Sequence, residues 1–240
     1  MSPVEGEIRV AVQDGMEMVF VPAGNFLMGS GPETASADDD EKPLHKIYLD
    51  AFWIDRTEVS NSQYQKCISA GICMPPAQTK LYANPAYNAH PIIGVSWDQA
   101  NVYCGWAGRR LPTEAEWEKA ARGTDSRIYP WGNEAPSSDL ANFDHMINET
   151  TPVGTYPRGA SPYGVLDMAG NAWEWVADGY SPDFYTNSPS SNPESDSPVN
   201  RRVLRGGNWD SNMEGIRSAN RFWAYPGRND TDGFRCAESE

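Results

Sequence analysis

Ser96 to Arg122 reads SWDQANVYCGWAGRRLPTEAEWEKAAR and contains the two clearest helix signals of the chain. The first is Ser96, a good N-cap residue, which is followed by residues at helical spacing. These residues are Ala100, Tyr103, Cys104 and Ala107. The second is Thr113, whose side chain can cap a helix while Glu116 reaches back, forming a capping box. The stretch therefore predicts two successive helices, within 96–107 and 109–122.

The chain before this stretch alternates short apolar runs with turns, a pattern typical of short strands. Residues 18–30 (MVFVPAGNFLMGS) predict two strands around a turn at 22–24, and residues 45–55 (HKIYLDAFWID) predict one more. Residues 33–42 (ETASADDDEK) between them are typical of a solvated acidic loop. Residues 58–69 (EVSNSQYQKCIS) indicate a helix with Ser60 or Asn61 as its N-cap.

The other segments are dominated by turn-forming residues. Residues 75–90 are rich in Pro, Asn and Tyr and predict a loop, and no long amphipathic helix is predicted beyond Gly123. Residues 181–200 (SPDFYTNSPSSNPESDSPVN) predict an excursion from the surface. Because neither an internal repeat nor a linker is evident, we expect a single domain over 18–240, preceded by an extension over 1–17.

The 240 residues have a globular composition, 39% hydrophobic, with a formal net charge of −14 and a pI near 4.6. This charge disfavours binding to nucleic acid or to an anionic membrane and is compatible with calcium or basic partners, although solubility alone accounts for it. No apolar run approaches the roughly 20 residues that span a bilayer, and Met1–Val12 lacks the signal-peptide pattern. We expect a soluble chain that itself carries no signal or anchor.

The four cysteines are Cys67, Cys73, Cys104 and Cys236. Cys67 and Cys73 bracket the short Gly-containing segment ISAGI, which a local disulfide can close, and C-x5-C is not the usual zinc spacing. Two oxidised pairs would favour an extracytoplasmic or cell-surface location, or a thermophilic host. The alternative is four buried thiols.

Several motifs follow one another in a fixed order along residues 18–237. They include VPAGNFLMGS, DEKPLHKIYLDAFWIDRTEVSNSQY, HPIIGVSWDQANVYCGWAGRRLPTEAEWEKAAR, YPWGN, TTPVGTYP, YGVLDMAGNAWEW, RVLRGG and GFRCA. This order resembles the formylglycine-generating enzyme (sulfatase-modifying factor) family. The resemblance implies an α+β fold, a variant of the C-type lectin fold with two helices, short antiparallel strands and much irregular structure. It also implies a disulfide between Cys104 and Cys236, with Cys67 and Cys73 as the second pair.

The resemblance also implies what chemistry to look for. The family's oxidases bind copper through two cysteines after a Gly-Gly pair, and those positions here hold Ser211 and Ile216, while Asn208 replaces the family's Ser. A hydroxyl and a sec-butyl group cannot replace two thiolates as Cu(I) ligands. Iron-dependent relatives use an additional His-rich helical domain, whereas this chain has three scattered histidines. We therefore expect neither copper nor iron and no catalytic residues.

Residues 203–235 are similar to the variable region of diversity-generating retroelement proteins, which use this lectin-like fold to display a hypervariable ligand-binding surface. In those systems, adenine-directed mutagenesis of AAC codons gives residue types that this segment contains. They stand at Asp210, Ser211, Gly215, Ile216, Phe222, Ala224, Tyr225 and Thr231. The mixture of aromatic and short polar residues is also typical of recognition surfaces.

We therefore predict a noncatalytic ligand-binding protein whose binding residues lie in this segment. They are Asn208, Asp210, Ser211, Asn212, Met213, Glu214, Phe222, Trp223, Tyr225, Asn229, Asp230 and Thr231. Trp209 and Phe234, next to framework motifs, are instead predicted to pack on the core. The ligand is expected to be a protein or another extracellular molecule.

Residues 167–175 (DMAGNAWEW) correspond to a structural calcium site of the resembling family. The carry-over gives Asp167 and Glu174 as side-chain ligands and Gly170 and Ala172 as backbone ligands, all oxygen donors of the kind calcium prefers. A second family site begins at Asn142 and Phe143, but its remaining ligands align poorly with residues 145–149. Ordinary turn and cap chemistry is the alternative at both places.

Three hypotheses follow for the function. The first is a retroelement variable protein. The second is an oxidoreductase of the same family with unrecognised chemistry. The third is an extracytoplasmic sensor or interaction module excised from a larger protein such as a receptor kinase.

Overall fold

The structure, a computed structural model, describes residues 3–77, 79–198, 200–227 and 231–240. Its first sheet joins the beginning of the chain to its end and has the strand order β1–β2–β5–β10, all neighbours being antiparallel. These strands are β1 (Ile8–Val10), β2 (Glu17–Val21), β5 (Phe52–Asp55) and β10 (Ala237–Ser239). The extension predicted over 1–17 is therefore only partly separate, because Ile8–Val10 form β1 and Glu17 begins β2.

Two further sheets complete the β structure of the described residues. β3 (Gly24–Met28) pairs with β4 (His45–Leu49) in a two-stranded antiparallel sheet. The third sheet has the order β8–β7–β6–β9, with β6 at Trp173–Gly179, β7 at Arg202–Arg205, β8 at Phe222–Ala224 and β9 at Asp232–Phe234. Within it, β6 and β9 are parallel and the other neighbours are antiparallel.

The helices begin where the capping signals predict them. α1 (Asn61–Ser69), α3 (Trp97–Trp106) and α4 (Glu114–Arg122) each start with a complete capping box, built on Ser60, Ser96 and Thr113 respectively. α2 (Thr79–Tyr82) and α5 (Phe184–Asn187) are single turns. The α+β class is thus confirmed, although the described residues contain three helices of nine or ten residues rather than two.

Three local predictions need correction. Residues 45–55 form two strands in different sheets, because Asp50 and Ala51 interrupt the extended run between β4 and β5. The acidic loop at 33–42 is not wholly solvated, since Glu41 is buried and bonded to Arg217. Residues 75–90, predicted as loop, contain α2 and a 3₁₀ turn at Pro85–Tyr87.

The third sheet separates two hydrophobic cores. Trp175, Leu204 and Phe234 pack with Tyr64 of α1 and Tyr103 of α3 on one face. Residues alternating with these along the strands, such as Val176 and Val203, pack with Trp117 of α4 on the other face. This alternation follows from the two-residue period of a strand, and it fixes the sheet between the helices on both sides.

Both disulfides implied by the sequence are present. Cys67 pairs with Cys73, and Cys104 in α3 pairs with Cys236 just before β10, across a sequence separation of 132 residues. All four cysteines are buried. Two such bonds indicate an oxidising environment. Among the described residues, no helix is both long and apolar enough to cross a bilayer.

Candidate functional site

The candidate binding segment begins where β7 ends. Gly206 and Gly207 follow Arg205 with φ values of +92° and +75°, in the left-handed region that favours glycine. A Cβ on Gly207 would lie 2.8 Å from Cγ2 of Ile216 and 2.9 Å from the carbonyl oxygen of Gly215. The chain therefore turns sharply out of the sheet and folds back on itself before β8.

Buried arginines fix this segment to α4. Arg205 donates from Nη2 to Oε2 of Glu118 at 2.7 Å and from Nη1 to Oε1 of Glu114 at 3.3 Å. Arg221 donates from Nε and Nη2 to the two carboxylate oxygens of Glu114, at 2.7 and 3.0 Å. Arg205 also donates to the carbonyl oxygens of Ser218 and Ala219, at 2.7 and 3.1 Å. The irregular backbone is thus held by charged side chains that point inward.

A third arginine connects the segment to the acidic loop. Arg217 donates from Nη1 to Oε2 of Glu41 at 2.7 Å and from Nη2 to Oε1 at 2.5 Å. Burial works against ionisation of Glu41, but the hydrogen bond and charge of Arg217 hold its pKa below the usual value. Burial likewise opposes ionisation of Glu114, and the charges of Arg221 and Arg205 outweigh it, so the pKa of Glu114 is lowered. Both carboxylates remain ionised partners of the arginines.

The residues between these anchors provide the exposed side chains. Asp210, Asn212, Met213 and Glu214 are exposed in the first part of the segment, and Phe222 and Tyr225 in the last part. Trp223 and Thr231 are half-buried. Asn229 and Asp230 lie outside the described residues. Most of the predicted ligand-binding residues that the structure describes thus lie at the surface.

Two of the predicted binding residues hold the loop together. Asn208 is 4% exposed, and its backbone N–H donates to Oγ of Ser211 at 3.0 Å. The Ser211 hydroxyl in turn donates to Oδ1 of Asn208 at 2.7 Å. Nδ2 of Asn208 donates to Oγ1 of Thr231 at 3.3 Å, which joins the two ends of the segment. A direct contact of Asn208 with ligand remains a prediction.

The aromatic side chains form two groups, one stacked and one edge-to-face. Phe222 stacks on Trp173 with ring centroids 5.1 Å apart, and Tyr225 meets the edge of Trp223 at 5.9 Å. The guanidinium of Arg201 lies 3.7 Å from the centroid of the Trp223 ring. Phe222 is 40% exposed and Tyr225 57% exposed, so each rests on a more buried aromatic partner while presenting a face to solvent.

The core prediction holds for Phe234, which is fully buried, and is wrong for Trp209, which is half-buried. Trp209 stays near the surface because its ring lies against His145, with centroids 5.5 Å apart, and its carbonyl accepts from the N–H of His145 at 2.9 Å. The sequence of residues 142–149 indicated only a calcium segment and did not predict the contact between His145 and Trp209. The available signal was the presence of Asp144, His145 and Asn148, residue types that tolerate left-handed backbone and so indicate a tight loop.

The two positions at which the family's oxidases have copper-binding cysteines hold Ser211 and Ile216 in this chain. Ser211 is engaged with Asn208, and Ile216 is fully buried in a small cluster with Tyr129, Phe143 and other apolar side chains. All four cysteines of the chain are in disulfides. The two positions therefore offer a hydroxyl group and an aliphatic side chain, and neither replaces a thiolate as a Cu(I) ligand.

The main calcium candidate lies beneath this surface. Glu174 accepts from Arg235 at both carboxylate oxygens, each at 2.7 Å, and from Nε1 of Trp117 at 2.8 Å. Asp167 accepts from the N–H of Gly154 at 2.6 Å. Among the described residues, no group of three acidic, His or Cys side chains is placed to hold a metal ion. The family's arrangement needs only two carboxylates with two backbone carbonyls, which the chain contains.

A nearby carboxylate argues that the donor set fits a cation. Glu58 is fully buried, and its Oε2 has no hydrogen-bond partner. Burial, and then the charges of Asp167 and Glu174, raise the pKa of Glu58 well above its usual value. Burial likewise raises the pKa of Asp167. The raised pKa values favour the neutral forms of Glu58 and Asp167, and a cation bound beside them would favour the ionised forms.

The second calcium candidate is less complete. Oδ1 of Asn142 is buried without a hydrogen-bond partner, whereas its carbonyl oxygen accepts from the N–H of Asn171 at 2.8 Å. Phe143 is buried in the apolar cluster with Ile216. The orphaned amide oxygen is an available donor, and the remaining ligands of this site stay a prediction.

Residues 5–240 match the model of the sulfatase-modifying factor enzyme 1-like domain. Serine/threonine-protein kinase pkn1 of Chlamydia caviae is 40% identical over 245 residues, covering 92% of this chain and 38% of that protein. The formylglycine-generating enzyme of Thermomonospora curvata is 32% identical over 280 residues, covering 92% of each chain. The chain thus spans well under half the length of the kinase relative.

Solved structures agree with this match. PvdO from Pseudomonas aeruginosa superposes with a TM-score of 0.86 at 28% identity over the whole of both chains. Treponema denticola variable protein 1 superposes with a TM-score of 0.77 at 23% identity, again over both whole chains, which shows a shared fold. The fold predicted from the sequence is confirmed.

Replacing Arg205 by Ala should lower the free energy of unfolding by about 3–5 kcal/mol, because Glu118 and Glu114 each lose a buried cationic partner and the carbonyls of Ser218 and Ala219 lose their donor, although Arg122 and Arg221 remain. The double variant Asp210→Ala, Glu214→Ala should change it by less than about 0.5 kcal/mol, because both side chains are exposed. Guanidinium unfolding followed by Trp fluorescence measures both. Equal losses in the two variants would contradict the division into inward anchors and an outward face.

Proposed function

Because the chain belongs to the sulfatase-modifying factor enzyme 1-like family, we propose that it uses the family's fold for noncatalytic ligand binding. The observation that carries this proposal is the chemistry of the side chains at Ser211 and Ile216, the two positions where the family's oxidases have copper-binding cysteines. Ser211 is hydrogen-bonded within its loop, Ile216 is buried in an apolar cluster, and every cysteine is in a disulfide. Oxidation of a substrate thiol through Cu(I) needs thiolate ligands that this surface does not offer.

The arrangement of the segment supports a binding role. Its inward side chains are three arginines in buried ion pairs, which stabilise the irregular backbone. Its outward side chains combine large aromatic rings with short polar groups, the mixture that gives contact area at low entropic cost together with adaptable hydrogen bonding. A rigid base below and varied contacts above suit recognition of another molecule.

The finer proposal is a retroelement variable protein. Some positions of the segment hold residue types that adenine mutagenesis can produce. Among these positions, Ile216 and Ala224 are 0% and 3% exposed, so they are poor candidates for diversified contacts. Asp210, Phe222 and Tyr225 are exposed and suit that role. The likeness to Treponema denticola variable protein 1 supports the fold needed for this function and goes no further.

Sequencing the coding locus and its flanks tests this finer proposal. We expect a reverse transcriptase gene and a nearly identical template copy of codons 203–235 that differs mainly at adenines. The mismatches should fall at codons for exposed residues such as Asp210 and Tyr225 and spare the anchors Arg205, Arg217 and Arg221. A locus with neither feature rejects the retroelement assignment and leaves noncatalytic binding in place.

The alternative is a ligand-sensing part of a larger protein. The observation that favours it is the 40% identity to Chlamydia caviae pkn1, of which this chain spans 38%. Under this hypothesis the same exposed segment would contact a single native ligand rather than a diversified set. The two disulfides favour an oxidising compartment for such a module.

Copper loading tests the absence of redox catalysis. After incubation with Cu(I) and desalting, the protein should retain far less than one equivalent of copper and should not consume oxygen with a cysteine-containing peptide. The double variant Ser211→Cys, Ile216→Cys is the matched comparison, since it restores two thiols at those positions and should retain more copper. Stoichiometric copper on the unaltered protein, together with oxygen consumption, would reject the noncatalytic proposal and revive an oxidoreductase.

We propose in addition that calcium binds at Asp167 and Glu174, with the carbonyls of Gly170 and Ala172, and has a structural role. At free calcium about 100-fold above the dissociation constant, the free energy of unfolding should rise by about 2.7 kcal/mol. Melting temperatures in calcium and in EDTA measure the effect. Asp167→Asn should remove the calcium response, whereas Asp210→Asn, at an exposed carboxylate, should keep it. Identical melting temperatures in calcium and EDTA would exclude the site.

A further inference from the structure

We propose that residues 144–149, here called the flanking loop, form a second contact segment beside residues 209–214. We further propose that the combined surface binds a polypeptide presenting apolar side chains next to Lys or Arg. This inference rests on the proposed noncatalytic binding function and adds both a contact segment and the chemistry of the partner. The flanking loop lies outside the segment that resembles a variable region.

The flanking loop is attached to the binding segment through its backbone. The N–H of Asp144 donates to the carbonyl of Ser211, and the N–H of His145 donates to the carbonyl of Trp209, both at 2.9 Å. The rings of His145 and Trp209 also meet at 5.5 Å. Because main-chain groups make the two hydrogen bonds, side chains at 209 and 211 can change without removing them.

Both segments rest on one small hydrophobic cluster. Phe143 directly precedes the flanking loop, and Ile216 follows the exposed residues 212–214. Both are buried in one cluster with Tyr129, Ala141 and Ala169. The hydroxyl of Tyr129 donates to the carbonyl of Met213 at 3.2 Å. The two segments therefore share a base, and their exposed side chains belong to a single surface.

The backbone of the flanking loop presents two apolar side chains to solvent. Asp144, His145 and Asn148 have φ values of +50°, +57° and +63°, a region uncommon for residues other than glycine. Met146 and Ile147, which lie between them, are 44% and 46% exposed. Met213 of the binding segment is 46% exposed. Neighbouring exposed apolar side chains on a soluble domain are a feature of interaction sites, and methionine adapts readily to different partner shapes.

The charge around these side chains has one sign. Residues 140–149 and 206–216 contain no Lys or Arg and four acidic residues, all exposed. These are Asp144, Glu149, Asp210 and Glu214. A polypeptide with Lys or Arg beside its apolar side chains complements this surface, whereas nucleic acids and anionic membranes are repelled. Apolar contact would supply most of the affinity, and the charges would select the partner and speed its association.

Selection from a phage-displayed library of random peptides tests the proposal. We expect enriched peptides to combine Leu, Phe or Trp with adjacent Lys or Arg. A synthetic peptide of the enriched sequence should then bind Met146→Ser, Ile147→Ser about tenfold or more weakly than the unaltered protein, the size typical of a binding hot spot. The matched control is Ile72→Ser, Met74→Ser, which alters two exposed apolar residues in the loop near the Cys67–Cys73 disulfide and should leave binding unchanged.

Methyl resonances of ¹³C-methionine report the contact directly and show that each variant is folded. On addition of the peptide, the signals of Met146 and Met213 should shift, while the signal of Met74, which is 70% exposed in the other loop, should not. The methionines Met16, Met18, Met28 and Met168 are buried and act as folding reporters.

Three results would overturn the inference, and each separates it from the parent proposal. If Phe222→Ser, Tyr225→Ser abolishes peptide binding while Met146→Ser, Ile147→Ser does not, the flanking loop is not a contact segment and noncatalytic binding stands. Enrichment of acidic or uncharged peptides would reject the proposed partner chemistry. If no peptide binds above the level of the unselected library, a polypeptide partner of this kind is rejected. The proposed noncatalytic function is then still tested separately by the copper-loading experiment.

Discussion

The ion pairs between buried arginines and the carboxylates of α4 hold the candidate binding surface in place. Arg205 and Arg221 approach Glu114 from two directions, and Arg205 also reaches Glu118, with these side chains almost fully buried. Residues 206–221 form neither a helix nor a strand, so few of their backbone groups bond to one another. The guanidinium groups supply the missing connections by bonding to carboxylates and to the carbonyls of Ser218 and Ala219. Loss of one arginine would reduce the charge compensation of these buried carboxylates, so such a substitution is expected to be destabilising.

A stable base allows the outer side chains to differ without affecting the fold. The third sheet lies between two cores, and the helix that carries Glu114 and Glu118 packs against one of them through Trp117. Most of the side chains proposed to contact ligand, including Asp210, Glu214 and Tyr225, are exposed and contribute little to either core. The residues that stabilise the segment and those proposed to contact ligand are therefore largely different.

Ile216 stands at a position where the family's oxidases have a copper-binding cysteine. An isoleucine at this position provides no ligand for copper, but it fills a cluster with Phe143 and Tyr129. That cluster supports both the binding segment and residues 144–149. The side chain at this position therefore packs in the core of the segment. Ser211, at the other position where the family's oxidases have a copper-binding cysteine, stabilises the loop through Asn208.

The sequence by itself determined the features that depend on neighbouring residues or on the order of motifs. The capping boxes at Ser96 and Thr113 gave the helix starts, because a capping box involves side chains only three residues apart. The family resemblance gave the fold class and both disulfides. It also located the segment that the structure describes as an irregular, largely exposed surface. The identities of Ser211 and Ile216 follow from the sequence alone, and the absence of copper chemistry that they predict stays a prediction.

Only the tertiary structure decided which distant residues meet. Glu41 stands in an acidic run that is typical of solvent, yet it is buried because Arg217, far along the chain, supplies an ion pair. Trp209 stands beside a framework motif, yet it remains half-buried because residues 144–145 bond to its loop. The same contact brings Met146 and Ile147 beside the binding segment. Local sequence patterns record the preferences of neighbouring residues, whereas these contacts depend on where separate elements pack, and that is set by the fold as a whole.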